Sequence, residues 1–161
     1  MRQPAVRRGV VLCGLIAVAL AGCAGGEKKT TMVGSGDIVA DRQRLMKLNG
    51  ASWADAQAKG KAGNFEAIAV NAETMAINAQ HIPSMFPQGS LTEKSKAKPE
   101  IWQKWPEFEA ASRAMVVESE KLRDAARSKD QAAVQAAMQN FGRNACGACH
   151  TPFRVPPPQQ R

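Results

Sequence analysis

The chain has 161 residues, with 22 Lys+Arg against 14 Asp+Glu but only four cysteines and two histidines. That length suits one domain with a core of its own and excludes a miniature fold that depends on disulfide staples. The positive charges are interleaved with acids and form no basic block, which excludes a nucleic-acid footprint and leaves a solvated surface.

The first 26 residues read MRQPAVRRGVVLCGLIAVALAGCAGG. Arg2, Arg7 and Arg8 precede an apolar run from about Gly9 to Ala21, and small residues follow. This is the order of a secretory signal. The run is too short for a spanning helix, which needs roughly 20 apolar residues. Its end, Leu20-Ala21-Gly22-Cys23, resembles the lipobox of bacterial lipoprotein signal peptides. The resemblance implies cleavage after residue 22, lipid attachment at Cys23, and a periplasmic protein lipid-anchored to a membrane. Removing the 22-residue leader with its three arginines leaves 139 residues and a net charge of +5. Cys13 leaves with the leader and Cys23 is claimed by lipid. The remaining domain then owns only Cys146 and Cys149, with no distant pair to join.

Residues 24–36 (AGGEKKTTMVGSG) carry no apolar period and predict a flexible tether, spanning roughly 20 Å on average. From Asp37 to about Lys59 the period is helical, with Ile38, Arg42, Leu45, Met46, Asn49 and Trp53 on one side. Gly60 and Gly63 mark a turn, and Asn64 caps a second helix. Its stripe is Phe65, Ile68, Ala69, Ala72, Met75, Ala76 and Ala79. Pro83 ends this helix near His81. Residues 83–99 form the one long connection, and Pro99-Glu100 opens a short turn carrying Trp102 and Trp105. Pro106 suits the first position of a third helix, with Phe108, Ala111, Met115, Ser119, Leu122 and Ala126 inward. Asp130 caps a fourth, whose inner face is Val134, Ala137, Met138, Phe141 and Ala145. No segment alternates with period two. The expectation is an all-α, up-down-up-down antiparallel four-helix bundle over residues 37–154, with a Pro-rich mobile tail at 155–161.

At the end of the fourth helix stands Cys146-Gly147-Ala148-Cys149-His150, the Cys-x-x-Cys-His pattern of c-type haem attachment. The spacing has a physical basis. On a helix, positions i and i+3 share a face, so both sulfurs reach the two vinyl groups of one porphyrin. The imidazole of the next residue then reaches the iron as proximal ligand. Gly142, one turn earlier, leaves that face bare for a flat ring. A structural zinc site wants four ligands, and only the distant His81 could complete one. A thioredoxin-like pair belongs to a βαβ pattern, which is absent. A vicinal disulfide leaves His150 without a role.

A haem motif at the C-terminal end of a four-helix bundle resembles the cytochrome c′ family, over about residues 37–154. ADRQRLMKLNG (40–50) is similar to the family's first helix and KAKPEIWQKWPEF (96–108) to its lead-in to the third. Arg154 matches a basic position after the haem motif. The resemblance implies one covalent haem c, with Met46 over the distal side of the iron and Arg42 near a propionate. It also implies Arg154 near the porphyrin edge, and it allows a homodimer. Met46 also reads as core filler and Arg42 as a solvated arginine. From side-chain chemistry, thioether ligation by Met46 is the favoured reading, and His81 reads as a surface residue.

Two functions follow. An electron carrier would hold the iron six-coordinate between His150 and Met46 and exchange electrons with a protein partner that the sequence does not name. A gas-binding module would leave the distal position open to nitric oxide or carbon monoxide. Electron transfer leads. An enzyme is not expected, since a peroxidase wants a distal acid–base residue and the neighbours of Met46 offer none.

Overall fold

The computed structural model describes residues 36–157. The leader, Cys23 and all of the expected tether except Gly36 lie outside the described residues, as does the tail from 158 onward. The first helix, α1, runs Ile38–Lys61, and its start is fixed by Asp37, whose carboxylate accepts from Val39 N and Ala40 N. Lys59 and Lys61 sit in its last turn, where cations complement the helix dipole. Gly63, at φ +67°, turns the chain. Asn64 then caps α2 (Phe65–His81) by accepting from Ala67 N at 3.1 Å.

A single 3-10 turn, Pro83–Met85, follows. After the long connection come the short helix α3 (Glu100–Gln103) and then α4 (Trp105–Arg127). Pro106 occupies the second position of α4, one residue later than the sequence suggests, where its missing N–H still costs nothing. Lys129, in the left-handed region at φ +57°, makes the tight link, and Asp130 caps α5 (Gln131–Phe141).

The expected fourth helix does not continue unbroken to the motif. A π-helical segment, Gly142–Gly147, intervenes before α6 (Ala148–Phe153). Cys146 therefore lies in the wider turn and Cys149 and His150 in α6. Four antiparallel helical passes form the bundle: α1, α2, α4, and the α5–π–α6 run.

The core lies between these passes. Ile68, Met75, Phe108, Leu122, Val134 and Phe141 are buried almost completely, and burial of each such side chain stabilises by about 1.5–3 kcal/mol. Trp53 stacks on Phe141 with centroids 4.5 Å apart. Polar groups inside are few. Ser112 Oγ donates to Ala79 O at 2.7 Å, and Asn78 Nδ2 donates to Asn49 Oδ1 at 2.8 Å across the α1–α2 interface. The expected inner faces hold, with Val39 rather than Ile38 as the buried residue of the first turn of α1.

Candidate haem site

At the end of the bundle formed by the start of α1, the end of α2 and the start of α4, a cavity of about 470 Å³ opens beside α6. One face of α1 supplies Val39, Arg42, Gln43, Met46 and Lys47, spaced at three and four residues so that they form one stripe. Ile82, Phe86, Ile101 and Phe108 form the apolar floor, and Cys149, His150, Phe153 and Arg154 come from the motif and its exit. Cys146 packs against the hydrophobic core beside the cavity without lining it.

The motif is held in place by its exit. Phe153 is buried and meets Phe108 edge-on at 5.5 Å. Beyond it the chain pairs with the long connection, Lys98 N donating to Phe153 O at 2.9 Å and Val155 N to Lys96 O at 2.8 Å. Ala97 and Arg154 form an antiparallel bridge there. Sequence reading missed this pairing, and it ties down the first residue of the expected mobile tail.

Arg42 is neither solvated nor free. Its side chain is buried, and its guanidinium donates through Nε to Met85 O at 2.5 Å and through Nη1 to Ser90 O at 3.2 Å. Nη2 bonds Ser90 Oγ, and the plane lies 4.2 Å from the Phe86 centroid. Burial lowers its pKa from the ordinary arginine value. Three of its five donors are thereby committed and two remain.

Cys146 and Cys149 are both partly buried, and no disulfide joins them. Burial raises both pKa values, that of Cys149 to about 11. His150 stands at the cavity rim. The residue is exposed by surface area, yet partial desolvation of its ring, and then the charge of Arg154, lower its pKa, which favours the neutral imidazole that ligates metals. His81 and the three tryptophans lie outside the cavity lining. Trp102 is fixed instead by donating Nε1 to Phe86 O at 3.0 Å.

The residues present fit a flat, largely apolar, anionic-edged group: an apolar slot, cations at its mouth, and the Cys149 sulfur and His150 imidazole along one wall, with Cys146 three residues earlier beside it. The family model described as "Cytochrome C'" matches residues 37–154. The chain belongs to the cytochrome c′ family. As in that family, its cofactor is covalently bound haem c. Cytochrome c-556 of Agrobacterium tumefaciens (strain II Chrys) is 37% identical over 120 residues, covering 73% of this chain and 96% of the relative. Cytochrome c-556 of Agrobacterium fabrum is 35% identical, covering 73% and 80%.

The fold is likewise shared with solved cytochromes c′. That of Shewanella frigidimarina superposes with a TM-score of 0.68 at 23% identity, covering 78% of this chain and all of that one. A variant from Alcaligenes xylosoxidans, solved as a nitric oxide complex, superposes with a TM-score of 0.68 at 24% identity, covering 79% of this chain and all of that one.

Proposed function

We propose that this cytochrome c′ family protein is an electron carrier of the bacterial cell envelope rather than an enzyme. Cys146 and Cys149 hold the haem by thioethers, and His150 and Met46 serve as its axial ligands. One observation carries the reading: Met46, from α1, and His150, from α6, line the same cavity. When bound, the haem supplies a one-electron couple, and a His/Met pair raises its potential. The chain's own part is to present the imidazole and thioether, to exclude water with Phe86, Phe108 and Ile101, and to meet the propionates with cations. Arg154 at the rim suits that last role, as do the remaining donors of Arg42.

The test is the visible spectrum. The ferric protein should be low-spin, and Met46→Leu should make it high-spin, bind carbon monoxide faster and lower its potential. A wild type already high-spin at neutral pH, with a spectrum that Met46→Leu leaves unchanged, would refute Met46 ligation. It would also bring forward the second reading, an apolar distal pocket that binds nitric oxide or carbon monoxide. That reading draws support from a cavity lining that holds no Asp or Glu, and from the relative solved as a nitric oxide complex.

The envelope location rests on the signal-like leader and on the periplasmic setting of the family. Lipid attachment at Cys23 goes further and rests on the lipobox pattern alone. No described helix is long and apolar enough to cross a membrane. A homodimer fits the exposed Leu48 on α1 and Val70 and Ile77 on α2, and one solved cytochrome c′ has a ligand-controlled dimer dissociation.

A further inference from the structure

Charge is divided unevenly along the bundle. With each helix cut at its midpoint, the cavity end carries ten Lys/Arg and six Asp/Glu among the described residues, and the far end six and seven. Ion pairing sharpens the contrast. At the far end Lys121 pairs with Glu118, Lys59 with Asp55, and Arg123 and Arg127 converge on Glu73. At the cavity end Arg44 pairs with Asp41 and Arg113 with Glu109, and Lys94 faces the Asp37 cap. Lys47, Lys96, Lys98, Lys104 and Arg154 make no ion pair with any described residue. The cavity lining itself holds Arg42, Lys47, Lys96 and Arg154 and no acid.

These cations come from separate parts of the chain, and the fold fixes several of them around one mouth. Lys47 sits on α1 one residue beyond Met46. Lys96 and Lys98 lie in the extended segment held to residues 153–155 by two backbone hydrogen bonds, within five residues of His150. Exposed Leu91 and Val155 stand at the same end, giving the mix of apolar contact and charged rim that protein interfaces use.

Resting on the electron-carrier reading above, we infer that this rim is the docking face for an acidic protein partner bearing its own redox centre. With Arg154 given to a propionate, Lys47, Lys96, Lys98 and Lys104 still stand at this end without an acid partner among the described residues, and together they focus a positive field. Such a field raises the encounter rate with an anionic face by roughly 10–10³, and salt abolishes the gain. Rim charges of this kind act on association rate and orientation more than on residence time, which suits a carrier that must dock and leave. One electron crosses in each encounter, the partner being oxidised as the carrier is reduced, or the reverse, and no bond is made or broken.

The probe is a small acidic flavodoxin, and the measurement is its binding to the haem-loaded protein at about 10 mM and 200 mM salt, by amide chemical-shift titration. Binding at low salt should weaken at least tenfold at high salt, with shifts at 47, 94–104 and 154. The combined variant Lys47→Glu, Lys96→Glu, Lys98→Glu should weaken it at least tenfold. Lys61→Glu, Lys121→Glu, Lys129→Glu, with the same change in net charge, should stay within about twofold. Equal weakening by both variants, no binding at low salt, or wild-type shifts centred on α2 and α5 would overturn the inference. So would rim-dependent capture of phosphatidylglycerol vesicles without flavodoxin binding. Reduction of the wild type by an uncharged mediator tests the carrier reading separately, since it involves no docking.

Discussion

Replacing Arg42 by lysine keeps the charge and removes the planar fork, so it separates two roles for a buried cation beside the haem site. Arg42 is 5% exposed and ties α1 to the connection after α2 through Met85 O, Ser90 O and Ser90 Oγ, with Phe86 against its face. Phe86 in turn meets Phe108 at 4.8 Å and accepts from Trp102. The arginine thus orders one wall of the cavity. A hydrogen bond from a charged donor contributes about 1.5–3 kcal/mol, and a cation–π contact about 0.5–2 kcal/mol. These contributions share one side chain, and the freed carbonyls regain water as the loop loosens, so they do not add in full. Arg42→Ala should cost about 2–4 kcal/mol. Lysine presents one compact charge and can keep at most part of the fork, so Arg42→Lys should cost about 1.5–3 kcal/mol. For a domain of this size that lowers Tm by roughly 5–12 °C. Thermal unfolding of the haem-loaded protein gives the number, and amide exchange across 82–99 shows whether the loop is the part released. If Arg42→Lys unfolds within about 0.5 kcal/mol of the wild type while Arg42→Ala does not, charge alone is what the site needs, and the clamp argument fails.

The thioethers assigned to Cys146 and Cys149 should keep haem on the polypeptide through denaturing electrophoresis, and the double alanine variant should release it; release from the wild type would end the assignment. Cys23→Ser should move the protein from the membrane to the soluble fraction with its haem spectrum unchanged, and a wild type already wholly soluble in its host would refute the anchor. Phe141→Ala removes a fully buried ring from its stack on Trp53 and should cost about 3–5 kcal/mol, with a shift in tryptophan emission; a loss below about 1.5 kcal/mol would mean that the bundle closes around the gap.

Much of this architecture was legible because it rests on local rules. Asn64 and Asp130 cap the helices that their positions announce, Asp37 caps α1 where the expected helical period begins, and the apolar stripes of α2 and α4 face the core as their period requires. The cavity itself was half legible. Met46, Cys149, His150 and Arg154 were found through the motif and the family resemblance. Val39, Phe86 and Lys96 were not, although Val39 lies one heptad before Met46 on the same stripe. What escaped was non-local. The Ala97–Arg154 bridge pairs segments 57 positions apart in the sequence, with no alternating pattern in either. Arg42 shows the limit most clearly. Position on a helix face predicts that a side chain points inward, but not whether its donors will find a cofactor or a backbone carbonyl.

The π-helical turn was hidden for a different reason, and its consequence reaches the site. Phe141 and Ala145 stand four residues apart, a spacing that serves an α-helix and a wider turn equally well, so the apolar period gives no warning. The only local sign is two glycines, 142 and 147, bracketing the segment, each costing about 1 kcal/mol in a regular helix. Neither has a packing reason: a Cβ at Gly147 would make only an ordinary contact, 3.4 Å from Gly142 O, and one at Gly142 would meet nothing within 4 Å. Such turns gather at functional sites, because one extra residue per turn changes the direction of everything after it. Here it comes just before Cys149 and His150, which are consequently aimed by the exit rather than by the register of α5. Phe153 against Phe108 and the backbone bonds to Lys96 and Lys98 set that aim. The geometry of the haem wall therefore depends on the long connection as much as on the helix that carries the motif.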